Sequence, residues 1–463
     1  MAMKKLLVQM YYEASTNHFP VSFPYPMHLL NIKTEGDILI DAILDCKDKV
    51  KADTLAYIDE IIGLINSNAH LCDEVIVNMG EYPADADRYE YFEYFLSNIR
   101  QPISIIGTYP TVNFKRVERF NNVINGSNVM ILETDFDITK VIISNELIEK
   151  YPLIGAKKRA VMKVTVGCPQ RCKMCPVPAI YDGKYRYDSV ESIIAKIKHY
   201  YDNGVRYITF TDDNISASDK RFVKVMEAIK DANLKGMKFH AQEGFEVAAF
   251  GNEDFCRLLV ETGWEQVKLG VENIKPDFLK KIGKYYVDPT AIDTALTNIE
   301  KYGIKDARFF YLMGLDETEE DVMDNLRYFS KHMVQLRTNV IRKYFGTAMY
   351  DMEWELKLDH KTISRMKALS YAISWMSLRK FDIFSENAYD MFCQKFNYVE
   401  TKDGETTVLT GKMKYGFQSD RLKNGLKFMF EQKYGLKDVI ATIVDDTTLT
   451  LELPKKESVS QWF

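Results

Sequence analysis

The sequence predicts an α/β protein built from parallel sheets. Through most of the first 350 residues, short apolar runs alternate with longer amphipathic stretches. Strand and helix in repetition imply a parallel sheet wrapped by helices. The composition is ordinary for a globular protein, with 46% hydrophobic and 27% charged residues, which excludes disordered and collagen-like classes. A chain of 463 residues is long enough for more than one domain.

Residues 1–150 are predicted to form a Rossmann-like domain. The candidate strands are 5–10, 38–43, 74–78, 103–106 and 128–133, with candidate helices at 54–66 and 89–99. Ligands of such sheets bind beyond the carboxyl ends of the strands. The segment 107–111, Gly-Thr-Tyr-Pro-Thr, follows a predicted strand and therefore lies where a ligand would bind.

Residues 151–350 are predicted to form a partial (β/α)6 barrel. Strands are expected to end at Val166 and to span 206–211, 238–242, 266–271, 307–313 and 338–341; the helices between them are expected at 189–203, 220–233, 252–262, 290–302 and 318–331. The last of these helices begins with Thr-Glu-Glu-Asp, a capping pattern with acidic residues in the first turn. Six units leave one side open, where a sizeable substrate can enter.

Residues 351–463 are predicted to form a small α+β domain. Helices are expected at 362–378, 388–396 and 419–433. One hairpin is predicted to turn at 402–405, where Asp-Gly is a strong turn signal. A second is predicted to span 439–453. We expect this domain to close the open barrel and to shape the substrate pocket.

Three cysteines stand at the start of the predicted barrel. Cys168, Cys172 and Cys175 lie in a loop rich in glycine and proline, so that the thiols can point at one object. A four-iron cluster normally takes four thiolates, and three would leave one iron open. A zinc site that recruits His240 and inert thiols are the alternatives, although closed zinc sites want four ligands. Disulfides are disfavoured, because three is odd and no secretory signal is visible.

This spacing, after the alternating run 160–166, resembles the cluster loop of the radical S-adenosylmethionine (SAM) superfamily. The resemblance implies a [4Fe-4S] cluster whose open iron binds SAM and whose electron cleaves it to a 5′-deoxyadenosyl radical. Met174 stands where the family often has an aromatic residue.

Five polar motifs that follow the predicted strands, in order, resemble the barrel of the cobalamin-associated and methylthiotransferase-like members. The resemblance implies that SAM is bound by Asp212, Asp213, Gln242, Glu243, Glu272 and Asn273. The aspartate pair matches a turn on the amino group of SAM, for which carboxylates are apt partners. The two following pairs match strand ends beside the ribose and the adenosine. No catalytic acid or base is assigned.

The segments 107–111 and 23–30 resemble a diverged cobalamin-binding domain of the large radical SAM subclass that carries one. The resemblance places Thr108 and Tyr109 beside the corrin. The Asp-x-His-x-x-Gly motif of many members, whose histidine ligates cobalt, is absent from the sequence. A corrin-binding domain and a domain that has lost its ligand and only covers the barrel both stay open.

The predicted function is that of a cobalamin-dependent radical SAM methyltransferase acting on an unactivated carbon or phosphorus centre. A corrin-free radical reaction, such as oxidation, rearrangement or ring formation, is the alternative; a metal-binding scaffold without activity is a third reading. The tRNA methylthiotransferases need three further N-terminal cysteines, whereas only two cysteines precede Cys168.

The expected partners are a small-molecule or peptide substrate and a low-potential electron donor, a flavodoxin or a ferredoxin. The net charge of −5 argues against a protein that coats nucleic acid. The short apolar runs predict neither a membrane span nor a signal peptide, and hence a cytoplasmic protein.

Overall fold

The computed structural model describes residues 3–10, 29, 32–41, 54–78, 89–99, 101–106, 129–131, 159–181, 183–216, 219–241, 243–332, 334–344, 347–377, 397–400, 406–412, 419–434, 439–445 and 448–454. These residues form three larger sheets and one two-stranded pair. The predicted α/β class is confirmed.

The first sheet is parallel throughout. It contains β1 (Lys5–Gln9), β2 (Ile38–Asp41), β3 (Glu74–Asn78), β4 (Ile103–Ile106) and β5 (Val129–Ile131), in the order β2-β1-β3-β4-β5, with helices α1 (Thr54–Asn68) and α2 (Tyr89–Asn98). All five strands and both helices lie where the sequence predicts them. Leu6 and Val8 of β1 pack against Ile61 of α1 and Phe95 of α2, all fully buried. This is the Rossmann-like arrangement that the alternation of apolar runs predicts.

The second sheet carries the candidate site. Its six strands are β6 (Arg159–Met162), β9 (Tyr207–Phe210), β10 (Lys238–Ala241), β11 (Trp264–Glu272), β12 (Asp306–Met313) and β13 (Gln335–Val340). A separate antiparallel pair beside it consists of β7 (Thr165–Gly167) and β8 (Tyr185–Tyr187). Its helices are α3 (Val177–Ile180), α4 (Val190–Asp202), α5 (Asp219–Ala232), α6 (Glu253–Glu261), α7 (Pro276–Lys281), α8 (Pro289–Lys301) and α9 (Glu319–Lys331).

Six of these strands run in the order β6-β9-β10-β11-β12-β13, each parallel to the next. Successive neighbours with helical crossovers are the topology of an open barrel. The strands alternate their faces: Val267, Leu269 and Val271 of β11 are buried in the core that the helices cover. Lys268, which alternates with them, therefore faces the barrel interior.

Local capping fixes where the helices begin. Side chains of Ser189, Asn252, Asp288 and Thr318 accept hydrogen bonds from the first turns of α4, α6, α8 and α9. At α9, Thr318 and Asp321 form a capping box, which confirms the capping pattern predicted there.

The strand predicted over 160–166 is broken in two. The carboxylate of Asp212 accepts hydrogen bonds from the backbone nitrogens of Val164 and Thr165. Those nitrogens are therefore not available to a strand ladder. β7 leaves the main sheet and pairs with β8 instead, with Gly167 opposite Tyr185. This departure sets the cysteine loop beyond the end of the sheet.

The third sheet is antiparallel, with β14 (Asn397–Glu400), β15 (Thr406–Lys412), β16 (Ile440–Asp445) and β17 (Thr448–Pro454), and is accompanied by α10 (His360–Ser377) and α11 (Ser419–Tyr434). Both predicted hairpins are present, the first with Val399 opposite Val408. Its turn and the helix predicted over 388–396 lie outside the described residues. Ser374 and Ser377 of α10 hydrogen-bond to the backbone of Leu336 and Val334 at β13. No helix within the described ranges is both long and apolar enough to span a bilayer.

Candidate active site

The cysteine loop is held by backbone contacts with later parts of the chain. Gly167, which ends β7, has φ +81°, a conformation that glycine adopts readily. A turn follows, in which Cys175 N donates to Cys172 O at 3.1 Å. Between these cysteines, Lys173 N donates to Ile282 O at 2.7 Å and Lys173 O accepts from Met349 N at 2.9 Å. These bonds fasten the loop to the barrel.

All three cysteines of the loop line one cavity of about 380 Å³ at the carboxyl ends of the strands. Other residues that line it and carry polar side chains are Gln170, Asp213, Asn214, Glu243, Glu246, Glu272, Lys284, Tyr286, Asn339 and Tyr344. Apolar wall comes from Met174, Phe245, Phe310 and Leu312. The cavity lining thus combines apolar side chains with four carboxylates, as a site for a cationic, amphiphilic ligand would.

Asn214 connects the cysteine loop to the next wall of the cavity. Its amide nitrogen donates to Cys168 Sγ at 3.3 Å and to Glu246 Oε1 at 2.7 Å. Gln170 Nε2 donates to the same Glu246 oxygen at 2.8 Å. The Oδ1 atom of Asn214 is buried and accepts no hydrogen bond within the part of the chain that the structure describes. A buried acceptor of this kind indicates a donor on a ligand or a bound water.

Burial raises the pKa values of the loop thiols. The pKa of Cys168 is raised to about 11, mainly by burial and against the hydrogen bond from Asn214. The pKa of Cys175 is raised as well, again mainly by burial. Both residues are therefore neutral thiols near pH 7, and a metal must displace their protons to bind.

Glu272 and Lys284 form a buried ion pair in the cavity wall. Lys284 Nζ lies 2.8 Å from Glu272 Oε1, and each side chain is only 10% exposed. Glu272 has φ +66° at a bulge between β11 and β12, which turns its side chain. Burial lowers the pKa of Lys284, but the attraction of the Glu272 carboxylate outweighs it, and the net shift is upward.

Tyr286 touches the cysteine loop directly. Its hydroxyl lies 3.5 Å from Cys172 Sγ. Burial, followed by the neighbouring Cys172, raises the pKa of this phenol. Tyr286 therefore stays protonated and can donate a hydrogen bond to the sulfur.

The two predicted aspartates occupy different places. Asp213 lines the cavity, accepts from Gly167 N at 3.0 Å and lies 3.3 Å from Lys163 Nζ. Asp212 is 2% exposed, and its Oδ1 accepts from the 164–165 backbone and from Thr165 Oγ1 at 2.7 Å. Its Oδ2 accepts no hydrogen bond from the described residues. Burial raises the pKa of Asp212 to about 6. Asp212 shapes the loop, and its contact with SAM stays a prediction.

Asn273 is also placed away from the cavity lining. It is fully buried, donates to Glu317 Oε1 at 2.9 Å and to Leu312 O at 3.3 Å, and accepts from Lys275 N at 2.9 Å. Burial raises the pKa of Glu317 to about 7. These contacts give Asn273 a role in joining the ends of β11 and β12, and its predicted contact with SAM remains untested.

The barrel interior below the cavity is charged. In the strand register, Lys268 of β11 lies opposite Arg308 of β12. Phe310, on the same face of β12 as Arg308, lies opposite Arg337 of β13. Burial lowers the pKa of Lys268 to about 8. Glu243, at the cavity edge, has its pKa raised by burial against the attraction of Lys268 and Arg337. The cavity therefore opens onto a polar interior.

Several predicted residues cannot be placed. Gln242, Thr108 and Tyr109 lie outside the described residues. Asn214, Glu246, Lys284 and Tyr286 line the cavity but were not predicted as site residues. Asn214 directly follows the predicted aspartate pair, so its position offered a signal; the other three follow no recognisable pattern.

The donor set fits an iron–sulfur cluster. The thiols are unpaired, share one cavity and have a hydrogen-bond donor beside Cys168 and another beside Cys172. No group of three or more His, Cys, Asp or Glu side chains among the described residues is arranged to hold a single metal ion. Thiols that bind different irons of one cluster need not converge on one point.

A three-cysteine loop at the carboxyl edge of an open, six-stranded parallel barrel is the arrangement of a radical SAM domain. Residues 162–329 match the family model of the radical SAM superfamily. The chain therefore contains a radical SAM domain. This domain implies a [4Fe-4S] cluster and SAM.

Curated relatives of the chain are named as methyltransferases. An uncharacterized methyltransferase of Pyrococcus horikoshii is 26% identical over 225 residues, 48% of this chain and 47% of the relative. The bacteriochlorophyllide d C-12(1)-methyltransferase of Chlorobaculum tepidum is 26% identical over 160 residues, 34% of each chain. The match thus spans less than half the length of each of these relatives.

Two solved structures share the fold over about three quarters of the chain. The radical SAM methyltransferase TsrM of Kitasatospora setae, with cobalamin and a [4Fe-4S] cluster bound, has a TM-score of 0.56 at 16% identity and covers 75% of this chain and 77% of its own. The cobalamin-dependent radical SAM enzyme OxsB has a TM-score of 0.51 at 14% identity and covers 73% of this chain and 53% of its own. At these identities the likeness concerns the fold.

Proposed function

We propose that the protein is a cobalamin-dependent radical SAM methyltransferase acting on an unactivated carbon or phosphorus centre. The observation that carries the proposal is the shared cavity of Cys168, Cys172 and Cys175. When bound there, a [4Fe-4S] cluster supplies one electron to SAM, and the sulfonium breaks to give a 5′-deoxyadenosyl radical. The chain's task is to hold SAM in place and to exclude water.

The cavity walls suit SAM. The carboxylates of Asp213, Glu243 and Glu246 give acceptors for its ammonium group, its ribose hydroxyls and its sulfonium charge. Lys284, already paired with Glu272, would offer a donor to the carboxylate of SAM. The apolar wall around Met174 and Phe310 suits the adenine ring.

Support for cobalamin comes from the N-terminal sheet and from the relatives. A five-stranded parallel sheet precedes the barrel in this chain. Of the two solved structures of similar fold, one holds cobalamin and the other is named as a cobalamin-dependent enzyme. Thr108 and Tyr109 follow β4 at its carboxyl end, and we propose them as corrin contacts. We likewise propose the domain boundaries 1–150, 151–350 and 351–463.

A corrin-free radical reaction is the second candidate, because the sequence lacks Asp-x-His-x-x-Gly. The two functions are separated by anaerobic purification from cobalamin-fed cells, followed by absorption spectra and iron and corrin analysis. About four irons with corrin support the methyltransferase. Iron without corrin supports the second candidate, and zinc without iron contradicts both.

The cluster assignment has its own test. Alanine at any one of Cys168, Cys172 and Cys175 should abolish both iron binding and cleavage of SAM with dithionite as the reductant. Cys72→Ala is the matched control, since Cys72 lies in the first domain proposed above, away from the cavity lining. Full SAM cleavage by any of the three variants would contradict the assignment.

A further inference from the structure

We propose that electrons enter the protein at a basic surface beside the cysteine loop, formed by Arg171, Lys173, Lys184 and Lys280, and that this surface binds a small acidic one-electron carrier protein. The inference rests on the proposed function. In each cleavage, one electron leaves the carrier and reduces the sulfonium, whose bond to C5′ breaks to give methionine and the 5′-deoxyadenosyl radical. The carrier is oxidised by one electron.

The three segments that carry the four residues contact one another. The guanidinium of Arg171 lies over Gly183, 3.3 Å from the position that a β-carbon would take there, and Lys184 is the next residue. Lys173 Cγ lies 3.2 Å from the corresponding position of Gly283, three residues after Lys280. Because Arg171 and Lys173 flank Cys172, the basic surface begins one residue from a predicted cluster ligand.

The cations of the basic surface have no counter-charge in contact with them among the described residues. Within the described residues, none of the four side chains forms a hydrogen bond or an ion pair. The nearby Lys281 differs, because it pairs with Asp316. The whole chain has a net charge of −5, so this surface opposes the overall sign. A local patch of this kind attracts and orients a partner of opposite charge.

An aromatic pair leads from this surface to the cysteine loop. Tyr285 follows Lys284, and 79% of it is exposed, so a partner can cover its ring. Its ring lies 6.3 Å from that of Tyr286, edge to face. The Tyr286 hydroxyl is 3.5 Å from Cys172 Sγ. A partner that covers Tyr285 would therefore stand two aromatic rings from a predicted ligand of the cluster.

The test compares two charge-reversed proteins. One carries Arg171→Glu, Lys184→Glu and Lys280→Glu. The matched control carries Lys198→Glu, Lys224→Glu and Lys235→Glu, three exposed lysines on α4, on α5 and after α5. The probe is an acidic flavodoxin, and its affinity for each reconstituted protein is measured at low and high salt. SAM cleavage is then measured twice, with dithionite and with flavodoxin kept reduced by its reductase and NADPH.

The basic-surface variant should bind flavodoxin at least about tenfold more weakly at low salt and should lose flavodoxin-driven cleavage to a similar extent. Its cleavage with dithionite should match the wild-type rate, which also shows that the variant folds. The control variant should keep the wild-type affinity for flavodoxin and the wild-type rate of flavodoxin-driven cleavage. Unchanged flavodoxin affinity and flavodoxin-driven cleavage in the basic-surface variant would overturn the proposal. Absence of cleavage by the wild-type protein with dithionite would instead overturn the proposed function.

Discussion

Asn214 donates a hydrogen bond to Cys168 Sγ at 3.3 Å while the same nitrogen donates to Glu246 Oε1 at 2.7 Å. Hydrogen bonds to sulfur are among the groups that set the potential of an iron–sulfur cluster. A donor stabilises the reduced, more negative form. We therefore predict that Asn214→Ala lowers the reduction potential of the bound cluster and slows SAM cleavage by a weak reductant.

A redox titration followed by electron paramagnetic resonance measures this potential. Asn203→Ala is the control, because Asn203 caps the C-terminal end of α4, where its amide donates to His199 O at 2.7 Å, and does not line the cavity. An unchanged potential in Asn214→Ala would show that the Asn214 amide does not reach the cluster sulfur.

Much of the fold follows from the sequence. Apolar residues that recur every 3.6 or every two positions predict the helices and strands of the N-terminal sheet and of the barrel. The predicted strands of both parts overlap the observed ones. The broken strand at 160–166 is different. Its apolar alternation continues through the break, and only the buried carboxylate of Asp212, 48 residues from Val164, divides it.

The candidate site was predictable where side chains follow a motif. The cysteines and three of the predicted carboxylates, Asp213, Glu243 and Glu272, line one cavity. Asp212 and Asn273 are equally polar in sequence, yet Asp212 binds the 164–165 backbone and Asn273 joins the ends of β11 and β12. Lys284 and Tyr286 reach the cavity only because α7 and the turn after it fold back on the cysteine loop, which no local pattern encodes.

The Glu272–Lys284 pair predicts a strong penalty for losing one partner. Lys284→Met leaves the Glu272 carboxylate buried without a counter-charge, and such losses typically cost about 3–5 kcal/mol. The double variant Glu272→Gln and Lys284→Met removes both charges and should recover much of that stability. Urea unfolding of the four proteins of the cycle measures the coupling. Additive effects would show that the pair is not coupled.

Asp212 predicts a dependence of stability on pH. Its pKa is about 6 in the folded protein against an ordinary value of 3.8. The folded state therefore holds a proton between these pH values that the unfolded state has lost. The stabilising contribution is fully present below about pH 4 and is lost as the pH rises through 6, by about 3 kcal/mol in total.

The variant Asp212→Asn keeps an acceptor for the 164–165 backbone but does not titrate. Relative to this variant, the wild-type protein should lose stability between about pH 4 and pH 6 and then level off. Denaturant unfolding of both cluster-free proteins across this range measures the difference. A constant difference between the two proteins would contradict the raised pKa.

Gly167 is the position where a single methyl group should disrupt the cysteine loop. A β-carbon there would lie 2.1 Å from Lys184 O, and φ is +81°. Gly236 has φ +77° with nothing within 4 Å of such a carbon. Gly236→Ala should thus cost only the backbone strain, about 1–2 kcal/mol. Gly167→Ala must also displace β8, and with it the 3.0 Å bond from Gly167 N to Asp213. We expect Gly167→Ala to lose more stability than Gly236→Ala and to bind less iron. Denaturant unfolding and iron analysis of both variants measure these differences. Equal stability losses with equal iron content would show that the loop tolerates the methyl group.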